Sequence, residues 1–406
     1  MDSQHITKPH MTGDINNLKI VFGYSYPPSA YANFETSTQQ YLARLRDAGL
    51  QVEAFCLSVS PPSHPFVFKE LDLRWRLGDK PLLEMYERLE KTLEGKDVFI
   101  NGPGINLHPR FVEKLPVFTV FQCFDDPESS DSLSRPVAAA YDLCLVGNIA
   151  EVKTYRNWGV KEAHWTALGI PPELYDTTLT YEHILEGKRD IDLFMMIDRL
   201  APWRDRKVRL DKLASAFPDA HFYGQGWSRG YVAESAQRQY LQRAKIGPNL
   251  HNSTGPINTR TFYLPANGVM QICDNKSHLG HIFELGKQVV GFDTVDECVD
   301  LCRYYLAHDE ERRKIAAEGW KRAVRDYNQV SIFKRNMALV QSRLDQQHKR
   351  LSSHMTTAAH RKSITLTDKM IYGAKLEQQR LTRMTRIPAK IWRQIIQLQA
   401  RISQKR

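Results

Sequence analysis

Residues 249–293 read NLHNSTGPINTRTFYLPANGVMQICDNKSHLGHIFELGKQVVGFD. A polar loop rich in Gly, Pro and Asn runs into a short helix expected over residues 259–267. Gly268 stops that helix, and the apolar run 269–273 is expected as a buried strand. Pro265 keeps the helix short, because its ring disturbs the carbonyl of Thr261. The free N–H groups and the dipole of a helix's first turn favour an anion. Arg260 lies in that turn and can add a charge-assisted bond. Loop, helix start, strand and glycine turn are therefore expected to form a cradle for phosphate.

The same alternation extends in both directions. Upstream, strands are expected over 18–24, 51–57, 97–101, 115–121 and 141–146, with helices over 34–48, 79–93, 132–140 and 151–158. A weakly patterned segment, 171–190, reads as a linker. The alternation then restarts, with strands over 192–197, 220–223, 246–251 and 289–292. Helices follow over 204–217, 235–244, 295–307 and 309–326, the last with Asp309 as its N-cap. Such a rhythm specifies an α/β chain with parallel sheets covered on both faces. A length of 406 residues points to two domains, 18–170 and 191–340, behind a flexible start, 1–17. In such sheets ligands bind beyond the carboxyl ends of the strands. The segments 23–29, 101–106 and 125–126 are thereby marked as candidate site loops.

Composition excludes other classes. The start, 1–19, is polar and lacks the apolar core of a secretory signal, and no run of about 18 apolar residues spans a bilayer. The six cysteines form no C-x-x-C pair and read as reduced core thiols of a cytoplasmic protein. The net charge of +10 belongs to one end: residues 341–406 hold 15 Lys or Arg against three acids, and the rest holds 41 against 43. The body therefore offers no general polyanion surface, and no nucleic-acid partner is expected. The tail itself is expected to be helical. Ile387, Ile391, Ile395 and Ile402, flanked by Arg386, Lys390, Arg393 and Arg401, suit a helix lying on an anionic membrane surface over 386–403.

The segments RTFYLPANGVMQICD, HIFELGKQVVGFDTVDE and YYLAHDEERRKIAAEGW together resemble the CgeB-like glycosyltransferases, within the glycosyl transferases group 1 family of GT-B fold. The matching positions are Arg260, Phe262, Ala266, Gly268, Phe283, Glu284, Gly286 and Lys287, with Asp125-Asp126-Pro127 upstream, and the resemblance covers about 18–335. It implies two Rossmann-like domains facing a cleft, the second holding a nucleotide-sugar donor and the first the acceptor. Two departures stand out. Tyr263 replaces the glutamate usual in the first motif, and a phenol is not an ionised acceptor at neutral pH. Gln288 stands where a second glutamate is frequent.

With the resemblance in hand, Asn258, Thr259 and Arg260 are the candidate donor-phosphate site. Arg199 and Arg204 are candidates for a second phosphate contact, and Gly224, Gly268 and His251 for close approach to the donor. Tyr263 occupies the place of the sugar-binding carboxylate, and Glu284 is a candidate for ribose hydroxyls. Asp125 and Asp126 are candidates to orient or deprotonate an acceptor hydroxyl. Tyr24, Ser25 and Tyr26 are candidates for the acceptor side. Adjacent acids followed by proline do not make a metal-binding D-x-D, so no metal and no other cofactor is expected. The expected activity is sugar transfer from a nucleotide sugar to a hydroxyl acceptor. A non-catalytic binding protein or a sugar-nucleotide epimerase of the same shape are the alternatives.

Overall fold

The computed structural model describes residues 14–25, 34–59, 67–102, 107–200, 204–251, 253–255 and 258–355. The first domain contains β1 (Lys19–Tyr24), α1 (Phe34–Asp47), β2 (Gln51–Cys56), α2 (Phe68–Arg76), α3 (Lys80–Thr92) and β3 (Val98–Asn101). It continues through α4 (Pro109–Val112), β4 (Phe118–Cys123), β5 (Leu143–Val146), α5 (Val152–Asn157) and β6 (Ala163–Trp165). All its strands pair in parallel, in the order β2-β1-β3-β4-β5-β6. Successive side chains of a strand face opposite sides. Val21, Phe99, Phe121 and Cys144 accordingly pack on one face with Leu82, Met85 and Leu89 of α3. Ile20, Phe22, Val120 and Leu145 pack on the other with Leu42 and Leu45 of α1. Burial on both faces is the reason these strands read as continuous apolar runs.

The second domain holds α6 (Tyr181–Glu186), β7 (Ile191–Met196), α7 (Arg204–Ala216), β8 (His221–Tyr223), α8 (Glu234–Arg243) and β9 (Ala244–Asn249). It continues with α9 (Arg260–Ala266), β10 (Met270–Cys273), α10 (Lys276–Leu279), β11 (Val290–Gly291), α11 (Val295–Ala307) and α12 (Asp309–Asp326). Its sheet has the order β11-β10-β9-β7-β8. In each domain the first strand lies between the second and the third, so connections leave it in opposite directions. The crevice at such a switch point is where an open α/β sheet binds its ligand. The switch points are β1/β3, where Gly23 pairs with Asn101, and β7/β9, where Leu193 pairs with Ile246.

Several expectations are corrected. Residues 132–140 form turns and a short 3-10 segment, Ala138–Ala140, rather than a helix; Pro136 lacks the N–H a helix needs there and biases Arg135 away from helical angles. Asp309 is the first residue of α12, not its cap, and ion-pairs with Arg312 and Arg313. The segment 171–190 is not a bare linker, since α6 packs on α12. The largest difference concerns α13 (Gln329–Met355), whose first part falls within the expected second domain, 191–340. Phe333, Met337 and Val340 bury on the first sheet beside Ile20 and Phe22. Arg343 of α13 bonds Glu162 through Nε and Oε2 at 2.7 Å. Burial alone would raise the Glu162 carboxyl, but bonds from His164 and Arg343 draw it down to about 2. The chain thus crosses between domains at 170 and at 328. The crossings pair: Ile170 N–H donates to Tyr327 at 2.8 Å, and Gln329 N–H to Ile170 at 3.2 Å.

Candidate functional site

The opening stretch folds as expected into loop, α9 and β10, but its polar groups largely serve one another. Asn258 Oδ1 accepts from the Thr261 N–H at 3.0 Å, closing the first turn of α9. Thr259 is exposed and makes no cap bond. Arg260 is anchored: Nε donates to Asn249 Oδ1 at 3.1 Å, Nη1 to the Met196 carbonyl at 3.2 Å and Nη2 to the Leu250 carbonyl at 3.4 Å. Those carbonyls belong to the ends of β7 and β9, so Arg260 ties the two sides of the switch point together. The cradle expected at the start of α9 is therefore filled by the protein itself.

An open polar cavity lies next to it, at the start of α7. It has a volume of about 570 Å³ and is lined by Arg206, Arg209, His251, Asp274, Lys276 and Ser277, with Asp205 and Asp293 at its edge. Arg209 donates to Asp274 Oδ2 at 3.2 Å and to the His251 carbonyl at 2.7 Å. Lys276 pairs with Glu297 at 3.2 Å. Arg206, in the first turn of α7, is buried and has no hydrogen-bond or ion-pair partner among the described residues. Burial, and then the neighbouring Arg260, pull its guanidinium down to about 10, so it remains charged at neutral pH. An unpaired buried cation is costly unless a ligand supplies its counter-charge.

His251 donates through Nδ1 to Asp274 Oδ1 at 2.6 Å, since an ionised carboxylate only accepts; this leaves Nε2 to accept from Thr261 Oγ1 at 3.1 Å. Burial outweighs the Asp274 bond and holds the imidazole below its usual pKa. Among the described residues, His251, Cys273 and Asp274 bring donor atoms within 4.8 Å of one another. Asp274 is already paired with Arg209, and Arg206 and Arg260 lie nearby. That positive surround favours an anion over a divalent cation.

Other candidates fall elsewhere. Gly268 has φ +65°, and a Cβ there would meet Arg189 Nη2 at 2.7 Å. It turns the chain at the far, N-terminal edge of β10, away from the crevice. Glu284 is exposed on a turn and pairs with Lys287 at 3.0 Å. Arg199 pairs with Asp211 at 2.6 Å and sits over the Trp227 ring. A Cβ on Gly224 would lie 2.6 Å from the Ile197 carbonyl, so that glycine lets β8 and β7 loops touch. Gly268, Glu284, Arg199 and Gly224 are absent from the cavity lining. Tyr263 is buried in the apolar layer with Phe262 and Leu279, and burial raises its phenol to about 12. The Arg204 side chain and Tyr26 lie outside the described residues. Sequence reasoning missed Arg206, Arg209, Asp274 and Lys276. The basic character of 204–217 was the available signal, but only the phase of α7 selects Arg206.

In the first domain Tyr24 and Ser25 are buried at the end of β1. Asp126, after β4, is buried and accepts from the Tyr155 hydroxyl at 2.5 Å through Oδ2. Asp125 is exposed and makes no side-chain hydrogen bond or ion pair among the described residues. Burial and the adjacent Asp126 raise its pKa. An accessible, unpaired carboxylate of raised pKa beside a buried acid has the attributes of a general base.

Replacing Arg260 by Ala strips partners from two strand-end carbonyls and from Asn249. Stability is expected to fall by roughly 2 kcal/mol or more, because each buried acceptor left open costs about 1–3 kcal/mol. Arg260→Lys should not restore it, since an ammonium cannot span the same fork. Urea denaturation of both variants checks this; a wild-type midpoint for the Ala variant would show the anchor to be dispensable.

Comparison with known proteins agrees with this fold. Residues 204–337 match a family model described as glycosyl transferase-like. No curated protein matches the chain in sequence. Among solved structures, Anabaena HepE in complex with UDP is similar at 14% identity and a TM-score of 0.52, covering 80% of this chain and 100% of that one. A glycosyltransferase from Rickettsia africae gives 12% identity and a TM-score of 0.54, covering 81% and 99%. The sucrose-phosphate synthase of Thermosynechococcus elongatus gives 12% and 0.50, covering 82% and 100%. The chain has the GT-B fold of these glycosyltransferases, two Rossmann-like domains with parallel sheets. No helix among the described residues is long and apolar enough to cross a membrane.

Proposed function

We propose that the protein is a glycosyltransferase. It moves a sugar from a nucleotide-sugar donor, bound at the β7/β9 switch point, to a hydroxyl acceptor on the first domain. The observation that carries this reading is Arg206, a buried guanidinium without a partner among the described residues, at the start of α7 in a polar cavity. The matched family segment, 204–337, begins at this helix. HepE has been solved with UDP and with UDP-glucose, ligands that carry the diphosphate this cavity suits.

In the reaction, charge grows on the departing nucleoside diphosphate. Arg206, Arg209, Lys276 and the first N–H groups of α7 are aimed where that charge develops, and such pre-placed donors lower the barrier without reorganising. Asp125 takes the proton of the attacking hydroxyl. Neither step requires a metal in this scheme. The subgroup we propose is CgeB-like, on Arg260, Phe262, Gly268, Phe283, Glu284 and Lys287. The site is proposed to work in the cytoplasm. Residues 386–403, outside the described residues, are proposed to rest on anionic membrane. Co-sedimentation with phosphatidylserine vesicles, compared with neutral ones, tests that contact.

The deciding experiment is calorimetry with UDP, ADP and GDP, backed by thermal shift. At 100-fold excess over Kd a ligand specific for the native state adds about 2.7 kcal/mol. Absence of binding to every nucleoside diphosphate would remove the proposal. Tyr263 favours one second reading, a binding module without turnover, because a neutral phenol stands where a carboxylate is expected. Donor hydrolysis or transfer that is lost in Asp125→Asn rejects that alternative.

A further inference from the structure

The two halves of the proposed site meet at one side chain. Asn148 follows β5 and is completely buried. Its Oδ1 accepts from the Ala150 N–H at 3.1 Å, which fixes the amide so that Nδ2 points the other way. The two N–H groups of Nδ2 are then shared among three acceptors: the Asp126 carbonyl at 3.1 Å, Ser253 Oγ at 3.0 Å and Thr254 Oγ1 at 2.9 Å. The first belongs to the carboxylate turn of the first domain. The other two belong to the loop between β9 and α9 of the second. Both hydroxyls pass their own protons on, Ser253 to Glu128 at 3.3 Å and Thr254 to Glu151 at 2.7 Å. Because those protons are committed to carboxylates, the hydroxyl oxygens are left to accept from Asn148.

The packing around this amide is tight on both sides. A Cβ at Gly147 would strike the Phe124 ring at 2.2 Å, so the end of β5 lies directly against the turn that carries Asp125 and Asp126. A Cβ at Gly255 would lie 2.2 Å from Asn148 Oδ1, so the donor-side loop is seated on the amide with no spare room. Ser253 also lines the cavity at the start of α7. The loop therefore touches the proposed donor site and the acceptor domain at once.

We infer that Asn148 is a positioning residue: its one amide sets the Asp125–Asp126 turn in register with the donor loop Ser253-Thr254-Gly255. Asn148 need not touch donor or acceptor to do this. The inference deepens the transferase reading and rests on it for the rate measurements. A misplacement of about 1 Å costs on the order of 100-fold in rate, which is the scale of effect a positioning residue produces.

Asn148→Ala, Gly255→Ala and the double variant, all in the full chain, test it. For Asn148→Ala the UDP affinity by calorimetry stays within about twofold of wild type, while kcat falls about 10- to 100-fold. Gly255→Ala lowers kcat in the native background, where its methyl meets Oδ1, and adds no further loss once Asn148 is Ala. A wild-type kcat for Asn148→Ala, or losses that multiply in the double variant, overturns the inference. Hydrogen exchange on the ligand-free proteins separates its failure from failure of the transferase reading. Without Asn148, amides of both 126–130 and 253–255 exchange faster; unchanged exchange at 253–255 overturns the inference whether or not any sugar is transferred.

Discussion

Arg206→Met is expected to bind nucleoside diphosphates about 10- to 100-fold more weakly, and to be more stable than wild type when no ligand is present. The two effects have one cause. The wild-type guanidinium is buried in the first turn of α7 with no partner among the described residues, and both burial and Arg260 oppose its charge. Methionine fills a similar length of cavity with no charge to desolvate. Replacing buried charges by packed apolar groups is commonly stabilising by about 1–4 kcal/mol. Bound diphosphate reverses the balance, because a charge-assisted hydrogen bond contributes about 1.5–3 kcal/mol, and each 1.4 kcal/mol is about tenfold in Kd. Urea melts without ligand, together with calorimetry against UDP, measure both halves. A variant that binds UDP like wild type would take Arg206 out of the site. A variant that is less stable without ligand would show that the guanidinium has a partner inside the protein.

Asp125→Asn is expected to lower kcat by about 100-fold or more, within the range usual for loss of a general base. The pH profile carries the sharper test. Burial and the neighbouring Asp126 raise the Asp125 pKa. The base form therefore appears at a higher pH than for an ordinary carboxylate, and wild-type kcat/KM should decline on the acid side through that raised value. In the Asn variant that acid limb should vanish. The sign for stability is opposite to that of a salt-bridged acid. A raised folded-state pKa favours the protonated form, so this group's contribution is full below its unfolded pKa and is lost as pH rises through the folded one. The Asn variant should accordingly be no less stable than wild type at neutral pH. An acid limb that survives in Asp125→Asn would assign it to another group.

Much of the architecture could be read from periodicity. The strand runs of both sheets apart from β6, together with α11 and α12, follow from apolar spacing and turn residues, and the observed bounds differ by a few residues. α13 was misassigned because helical spacing at Phe333, Met337 and Val340 specifies an apolar face but not which domain covers it. The region 132–140 was misread because Pro136 outweighs the helix formers around it. At the site, Arg260 and His251 were singled out as donor contacts. In the structure both are occupied by the protein, the one bracing two strand ends and the other locked between Asp274 and Thr261. Gly268 and Glu284 carry motif positions yet stand apart from the cavity, one as a turn and the other as an exposed ion pair.

What the sequence alone determined is the local grammar: two runs of alternating strands and helices, the Gly, Pro and Asn loop before a short helix, and acids placed after an apolar strand. Those features depend on residues close together in the chain, where dihedral preference and side-chain period act. Tertiary structure decided which charges remain without partners. Arg206 and Arg260 are both arginines at helix starts, and nothing local distinguishes them. Arg260 finds the carbonyls of Met196 and Leu250 across the switch point, whereas Arg206 finds no partner among the described residues. Asn148 meets Ser253 and Thr254 more than a hundred residues on, through a domain contact that no local pattern encodes. Burial and partnership are properties of the assembled chain, and the placing of unpaired charge, which directs chemistry to one crevice, is settled only there.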